Sequence, residues 1–556
     1  MNALPHKSAF LEVRDLRVEA GGKGAGSVLV DGVSFSLQRG EVLGLIGESG
    51  AGKSTIGLSI LGYKRPGCAI TGGTITYKGR DICRMSLAEL RQLRGQNIAY
   101  IAQSAAASFN PGMTIMRQVC EVPVRKGLSD RRTAEQAARR LFEELGLPSP
   151  DTFGDRFPHQ VSGGQLQRAM AAMAMAARPD LLVFDEPTTA LDVTTQVEVL
   201  AAFKRLVRDH QAAAVYITHD LAVVAQLADR IIVLRNGKLV EQGPTREILF
   251  EPSEEYTRRL VARRDPKPKA GISPGDGEKG VVLSVRNVTA SYASLKNVIE
   301  NIDVDLLRGD TVAVVGESGS GKSTLARVII GLLERDEGDV ELMGETLSPS
   351  LKRRSKEELR RIQLIYQMPD VALNPRQTLL EIIGRPIKFY FGLPNREIRE
   401  RVIQLLGQVG LSQDYLDRSP TQLSGGQKQR VCIARALAAK PDVIICDEIT
   451  SALDQLVADD ILSLLQRLQD ELGIAYLFIT HDLGTVRRVA NRVMVMLKGN
   501  VVASGPTETV FSPPLHPYTD LLLSSVPQMD VNWLNDLMQR RTEDHRSPPR
   551  VSVKAL

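Results

Sequence analysis

The chain repeats itself, and that repeat constrains its fold more than any other feature. GESGAGKST begins at Gly47, and GESGSGKST follows at Gly316. VSGGQLQR (Val161) and LSGGQKQR (Leu423), FDEPTTALD (Phe184) and CDEITSALD (Cys446), and YITHDL (Tyr216) and FITHDL (Phe478) recur at one common spacing, slightly shorter than that of the first pair. A series this long means two homologous halves with small early insertions, so whatever folds once folds twice. Length alone, 556 residues, allows three or four ordinary domains or two larger α/β units. The repeat selects the second: residues 1–261 and 281–531, joined by a Pro/Gly-rich, charged linker at 262–280. The polar, basic end, 532–556, reads as a flexible, solvated tail.

Within each half, strands and helices alternate. EVLGLIG and TVAVVG run into glycine loops, LLVFDE and VIICDE end in carboxylates, and AAVYITHD and AYLFITHD end in histidine and aspartate. Continuous apolar runs of this length suit central strands of a parallel sheet covered on both faces, whose C-terminal ends are where open α/β sheets bind ligands. STIGLSILG and STLARVIIG follow the loops as helices.

Composition excludes several classes. The net charge of +5 is near neutral at this size, and aromatics are only 4%, with Trp533 the single tryptophan. Neither a nucleic-acid surface nor a base-stacking platform is expected. The five cysteines, Cys68, Cys83, Cys120, Cys432 and Cys446, include no C-x-x-C pair, which speaks against a disulfide framework or zinc site and for a reducing cytosol. Residues 1–10 lack a signal-peptide core, and no run approaches the roughly 20 apolar residues of a membrane span.

Gly47 to Ser54 and Gly316 to Ser323 fit G-x-x-x-x-G-K-[ST], each between an apolar strand and a helix, the context that gives the motif meaning. The loop residues Gly47, Ser49, Gly50, Gly52 and Thr55, with Gly316, Ser318, Gly319, Gly321 and Thr324, are expected to turn backbone N–H groups toward phosphate oxygens. Lys53 and Lys322 would reach the β- and γ-phosphates, and Ser54 and Ser323 would hold Mg²⁺. Asp185 and Asp447 each end an apolar run, where a carboxylate needs a partner, and are assigned to the Mg²⁺ shell. Glu186 and Glu448 would then activate the attacking water. A lone histidine is more often structural, but His219 and His481 occupy matched strand ends and would hold glutamate and water in line. Gln103 and Gln367 also recur after apolar strands and would ligate Mg²⁺ or contact the water.

This constellation resembles the ATP-binding cassette superfamily. Its distinguishing part is [LV]-S-G-G-Q a short way before the D-E strand: Ser162, Gly163, Gly164 and Gln165 in the first half, Ser424, Gly425, Gly426 and Gln427 in the second. The resemblance implies two tandem P-loop NTPase (RecA-like) α/β domains, each with an antiparallel β part and a helical subdomain, about 104–160 and 368–422. It implies composite ATP sites, Lys53 with Ser424 and Lys322 with Ser162, coupled through Thr189–Asp192 and Ser451–Asp454. It also implies an adenine-stacking aromatic, met by Tyr292 in the second half but by Ala20 in the first. Ile449 stands where the first half has Pro187, which is expected to loosen the turn after Glu448.

QSAAASFNP (103–111), QMPDVALNP (367–375) and SPPLHPYTDLL (512–522), within a C-terminal segment at 505–531, are similar to peptide and nickel importer ATPases; EPSEEYTRRL (251–260) is a worn counterpart. The implied protein is an ATP- and Mg²⁺-using, energy-coupling subunit, peripheral on the cytoplasmic face of a bacterial inner membrane. Its partners would be two integral-membrane permeases and, indirectly, an extracytoplasmic binding protein. No nucleic acid, lipid insertion or iron–sulfur cluster is expected. The alternatives are a tandem cassette acting on ribosomes or DNA, or a nucleotide-regulated interaction protein without hydrolysis. The short linker and missing zinc cysteines argue against the former, and Glu186 and Glu448 against the latter.

Overall fold

The computed structural model describes residues 9–21, 26–189, 191–262, 280–292, 295–451 and 453–546. Residues 263–279 of the expected linker lie outside these. The chain divides into two compact units, Met1–Arg263 with Pro527–Leu556, and Arg264–Val526.

In the first unit a six-stranded sheet has the order Lys238–Pro244, Arg230–Arg235, Val42–Gly47, Ala213–Ile217, Leu181–Asp185, Ile98–Ile101. All its neighbours pair in parallel except Lys238–Pro244, which runs antiparallel along one edge. Leu181–Asp185 and Ala213–Ile217 are buried at every residue, as their unbroken apolar sequences require. An antiparallel sheet, Ser27–Leu37, Leu11–Ala20, Cys68–Tyr77, Arg80–Asp81, packs its alternating apolar residues into the same core as one face of the parallel sheet.

The stretch between Gln103 and Ser162 holds helices and no strand among the described residues. The longest, Arg131–Glu144, is capped by Asp130, whose carboxylate accepts the Thr133 N–H, an arrangement worth about 1 kcal/mol. It buries Ala134, Ala138, Leu141 and Phe142, spaced at the helical period, into a core that continues to the other face of the parallel sheet.

The second unit repeats the plan. Its large sheet runs Ile362–Ile365, Val443–Asp447, Ala475–Ile479, Thr311–Val315, Arg492–Leu497, Asn500–Pro506, beside an antiparallel sheet of Leu295–Leu307, Val281–Tyr292, Glu337–Leu342, Glu345–Thr346. Helices Leu379–Phe391 and Asn395–Gln408 lie between Gln367 and Ser424. Among the described residues no helix is long and apolar enough to cross a membrane.

One expectation is overturned. Residues 532–546 are not a solvated tail: Trp533–Arg546 is a helix belonging to the first unit, so that unit is discontinuous in sequence. Trp533, Leu534 and Leu537 are buried in the first unit's core. Their stripe at i, i+1 and i+4 is masked in the sequence by the polar residues around it. The buried Gln226 side chain holds the approach, donating from Nε2 to the Gln528 and Asp530 carbonyls at 2.8 and 2.9 Å and accepting the Leu534 N–H at Oε1, 3.1 Å. Residues 547–556 of the expected tail lie outside the described ones.

Candidate active site

Each phosphate loop leaves the central strand of its parallel sheet and turns into a helix, Lys53–Ile60 or Lys322–Ile329. Gly47 and Gly316 both have φ +151, and a Cβ at either would lie 2.2 Å from a carbonyl oxygen of the adjacent strand, Leu234 or Met496. Only glycine fits there. Both lysines are buried and folded back on their own loops. Lys53 Nζ donates to Gly47 O (2.7 Å) and Glu48 O (2.9 Å). Lys322 Nζ donates to Gly316 O (2.8 Å) and Glu317 O (2.7 Å). Ser49, Gly50, Gly52 and Thr55, and Ser318, Gly319, Gly321 and Thr324, lie on these loops and the helix turns that follow.

The carboxylate strands reach the loops from two positions across the sheet. Ser54 Oγ donates to Asp185 Oδ1 at 2.8 Å, and Ser323 Oγ to Asp447 Oδ1 at 3.2 Å. These hydroxyl and carboxylate oxygens are the hard donors that Mg²⁺ prefers, too few to cage an ion without phosphate and water. Among the described residues no group of three or more His, Cys, Asp or Glu is poised to hold a metal.

Glu186 and Glu448 both sit at φ +48, in the left-handed region that side chains avoid. Strain of this kind persists where the surroundings fix it, here by the N–H of each glutamate donating to Ile217 O or Ile479 O at 2.9 Å. With Ile449, which is buried, in place of Pro187, Glu448 keeps the same φ as Glu186. His219 Nδ1 lies 3.3 Å from Glu186 Oε1, and His481 Nδ1 3.3 Å from Glu448 Oε1. Gln103 Nε2 donates to Glu186 Oε2 at 3.3 Å, and Gln367 Nε2 to Glu448 Oε2 at 2.7 Å. Burial pushes both glutamates up, but the histidine hydrogen bond and charge, with the lysine behind, hold each below the ordinary carboxylate range. Burial lowers both histidines, and their glutamates more than reverse it. An ionised glutamate held by an amide and an imidazole is an acceptor for a proton from water.

The S-G-G-Q turns open helices Gly163–Met175 and Gly425–Leu437. Ser162 and Gln165 cap one another reciprocally, as do Ser424 and Gln427. A Cβ on Gly164 would meet Thr195 Cγ2 at 2.0 Å, and one on Gly426 would meet Val457 Cγ1 at 2.4 Å, so the second glycine of each turn is required by the helix packed over it.

Tyr292 closes its strand with its hydroxyl 3.4 Å from Thr324 Oγ1 and accepting from Arg327 at 3.0 Å. Ala20 ends the matching strand of the first unit, paired with Cys68 and Ser27. Sequence reasoning missed Tyr100, whose hydroxyl donates to Asp185 Oδ2 at 2.5 Å. It lies just before Gln103 on the strand paired with that of Asp185, a neighbour that only the fold reveals. Thr189, expected as the start of a coupling loop, also reaches the glutamate: its Oγ1 donates to Glu186 Oε2 at 3.2 Å.

Comparison with known proteins shows the family. A family model described as ABC transporter matches residues 30–189 and 299–451, and one described as the oligopeptide/dipeptide transporter C-terminal region matches 502–549. The glutathione import ATP-binding protein GsiA of Escherichia coli O157:H7 is 40% identical over 545 residues, covering 90% of this chain and 86% of that protein. Its counterpart in Shigella sonnei is 40% identical over 541 residues with the same coverage. The solved structure of cbiO1 from Clostridium perfringens, part of the ABC transporter complex cbiONQ, is 30% identical and covers 42% of this chain and 92% of its own, with a TM-score of 0.39.

Proposed function

We propose, on the premise that this chain belongs to the ABC transporter family and is one of its ATPases, that it energises a bacterial importer of short peptides, glutathione among them. The observation that carries the cargo class is the peptide-transporter C-terminal region at 502–549, together with 40% identity to GsiA across 86% of that protein's length.

In each unit the chemistry is phosphoryl transfer to water. Lys53 and Lys322 leave their loop carbonyls for the β- and γ-phosphates of ATP. Ser54 with Asp185, and Ser323 with Asp447, would hold Mg²⁺, with Gln103 and Gln367 at its edge; the ion would neutralise charge on the phosphate oxygens. Glu186 and Glu448 accept the water's proton, with His219 and His481 keeping them ionised and in line. The Ser162–Gln165 and Ser424–Gln427 turns offer further N–H groups to nucleotide phosphates.

Energy would leave through the grooves beside Gln103 and Gln367. In the second unit a groove of about 920 Å³ runs from Ser323 and Asp447 past Gln367 to Phe389 and Tyr390. Tyr366, Met368, Val371 and Phe389 stand exposed along it, Val371 by 82%. Such an apolar run beside a catalytic glutamine suits a helix of a permease. The partners are then two integral-membrane permeases, with an extracytoplasmic binding protein acting through them, and the chain works at the cytoplasmic face of the membrane.

The double variant Glu186→Gln, Glu448→Gln tests the chemistry. It should still bind ATP but lose at least about 10²-fold in turnover, the usual contribution of a general base; turnover like the unaltered chain's would sink the assignment. Uptake by the assembled importer tests the cargo: competition by glutathione and short peptides is expected, and uptake indifferent to both would sink the peptide reading.

A further inference from the structure

A tyrosine from the C-terminal segment of each unit reaches the phosphate loop from behind. Tyr256 and Tyr518 are separated by the same stretch of chain as the paired signature and carboxylate motifs, so they are matched positions of the repeat. Both are buried, in helices Glu255–Ala262 and Pro517–Ser524. In the second unit the Glu317 N–H donates to Tyr518 Oη at 3.0 Å.

That N–H belongs to the peptide between Gly316 and Glu317. The carbonyl of the same peptide, Gly316 O, is the one on which Lys322 rests at 2.8 Å. One peptide plane is therefore gripped at both ends, by the lysine ammonium and by the tyrosine hydroxyl. It follows a glycine at φ +151, whose lack of a side chain leaves the plane free to rotate. When ATP draws Lys322 away, the tyrosine hydroxyl still holds the plane.

In the first unit the grip is looser. Tyr256 Oη is buried and makes no hydrogen bond of full geometry, and its ring lies under the Arg235 guanidinium at 4.8 Å. Burial, and then the Glu48 carboxylate, push its hydroxyl pKa up, while the Glu48 N–H pulls the other way, so the hydroxyl stays neutral. Arg235 corresponds to Leu497 in the second unit, a side chain with no charge to draw the ring aside.

We infer that Tyr518 is a positioning residue for ATP at the second phosphate loop, pinning the Gly316–Glu317 peptide so that the loop keeps its phosphate-binding shape once Lys322 departs. Through it the importer-type C-terminal segment is joined to nucleotide binding. The inference rests on the assignment of the second loop as an ATP site.

The test uses the full chain. Tyr518→Phe removes the hydroxyl and keeps the ring; the KM for ATP should rise about three- to tenfold, the worth of one hydrogen bond, with kcat within about twofold. In a Lys53→Ala background, where equilibrium ATP binding reports the second loop, affinity should fall by the same factor, with the melting temperature within about 2 °C. Leu522→Ala, which loosens the same helix and spares the hydroxyl, should lower the melting temperature and leave KM alone. Tyr256→Phe should shift KM by less than about twofold. An unchanged KM in Tyr518→Phe, a profile like that of Leu522→Ala, or an equal shift in Tyr256→Phe would each overturn the inference. Adding Lys322→Ala to the Lys53→Ala chain separates the two failures. If it abolishes binding while Tyr518→Phe does nothing, the tyrosine role alone falls; if binding survives, the site assignment falls with it.

Discussion

Side by side, the two units share a lysine folded on its own loop, a serine on an aspartate, and a glutamate between histidine and glutamine. They differ in what lies one step further out. Asp185 has Tyr100 as a second donor, while Leu364 stands at the matching place in the second unit. Asp447 is correspondingly pushed up, by burial and then by Glu448, with Ser323, Lys322 and Arg327 opposing. Tyr292 corresponds to Ala20, and the exposed Tyr366, Met368, Val371 and Phe389 correspond to Ala102, Ser104, Ala107 and Arg125. Groups proposed to touch the reacting phosphate keep their identity through the repeat, whereas their outer neighbours differ.

Three experiments can break or sharpen that contrast, the largest effect first. Val371→Glu with Phe389→Glu puts charge where an apolar partner is proposed to seat; transport-stimulated ATPase should fall about 10²-fold, the scale of two interface anchors. Ala107→Glu in the first unit should cost far less, and equal losses would erase the difference between grooves. Next, Tyr292→Ala removes the expected stacking face, worth about 1–3 kcal/mol, and should weaken ATP binding about tenfold at the second loop. Ala20→Tyr should strengthen the first, as read by equilibrium titration of Lys322→Ala and Lys53→Ala chains; no gain there would mean another group supports that adenine. Smallest is Tyr100→Phe, expected to raise the Mg²⁺ concentration for half-maximal activity about fivefold, the net scale of an ordinary hydrogen bond, since Ser54 still holds Asp185. Leu364→Phe, its matched control, should change it little.

Much of this was legible because motif chemistry lies in contiguous stretches. A loop needing glycine at φ +151, and a strand ending in Asp-Glu, announce themselves in sequence, and their partners follow from the parallel order that such strands adopt. Tyr100 and Tyr518 were not legible in the same way. Each acts across a strand pairing or a helix packing that joins distant positions, and a tyrosine in an apolar run reads as core. The helix at Trp533–Arg546 escaped for a related reason. Its apolar stripe is short and means little until Gln226, from the far end of the chain's other half, is seen to meet it.

That helix also sets a schedule. The main block of the first unit ends at Arg263, and its last piece begins at Pro527, with the whole second unit between them. At about 5–20 residues per second, a ribosome takes on the order of tens of seconds to cross that interval. Meanwhile the first core waits with the seat for Trp533, Leu534 and Leu537 open and the Gln226 amide without its Gln528, Asp530 and Leu534 partners. The first cassette to be synthesised is thus the last to be finished.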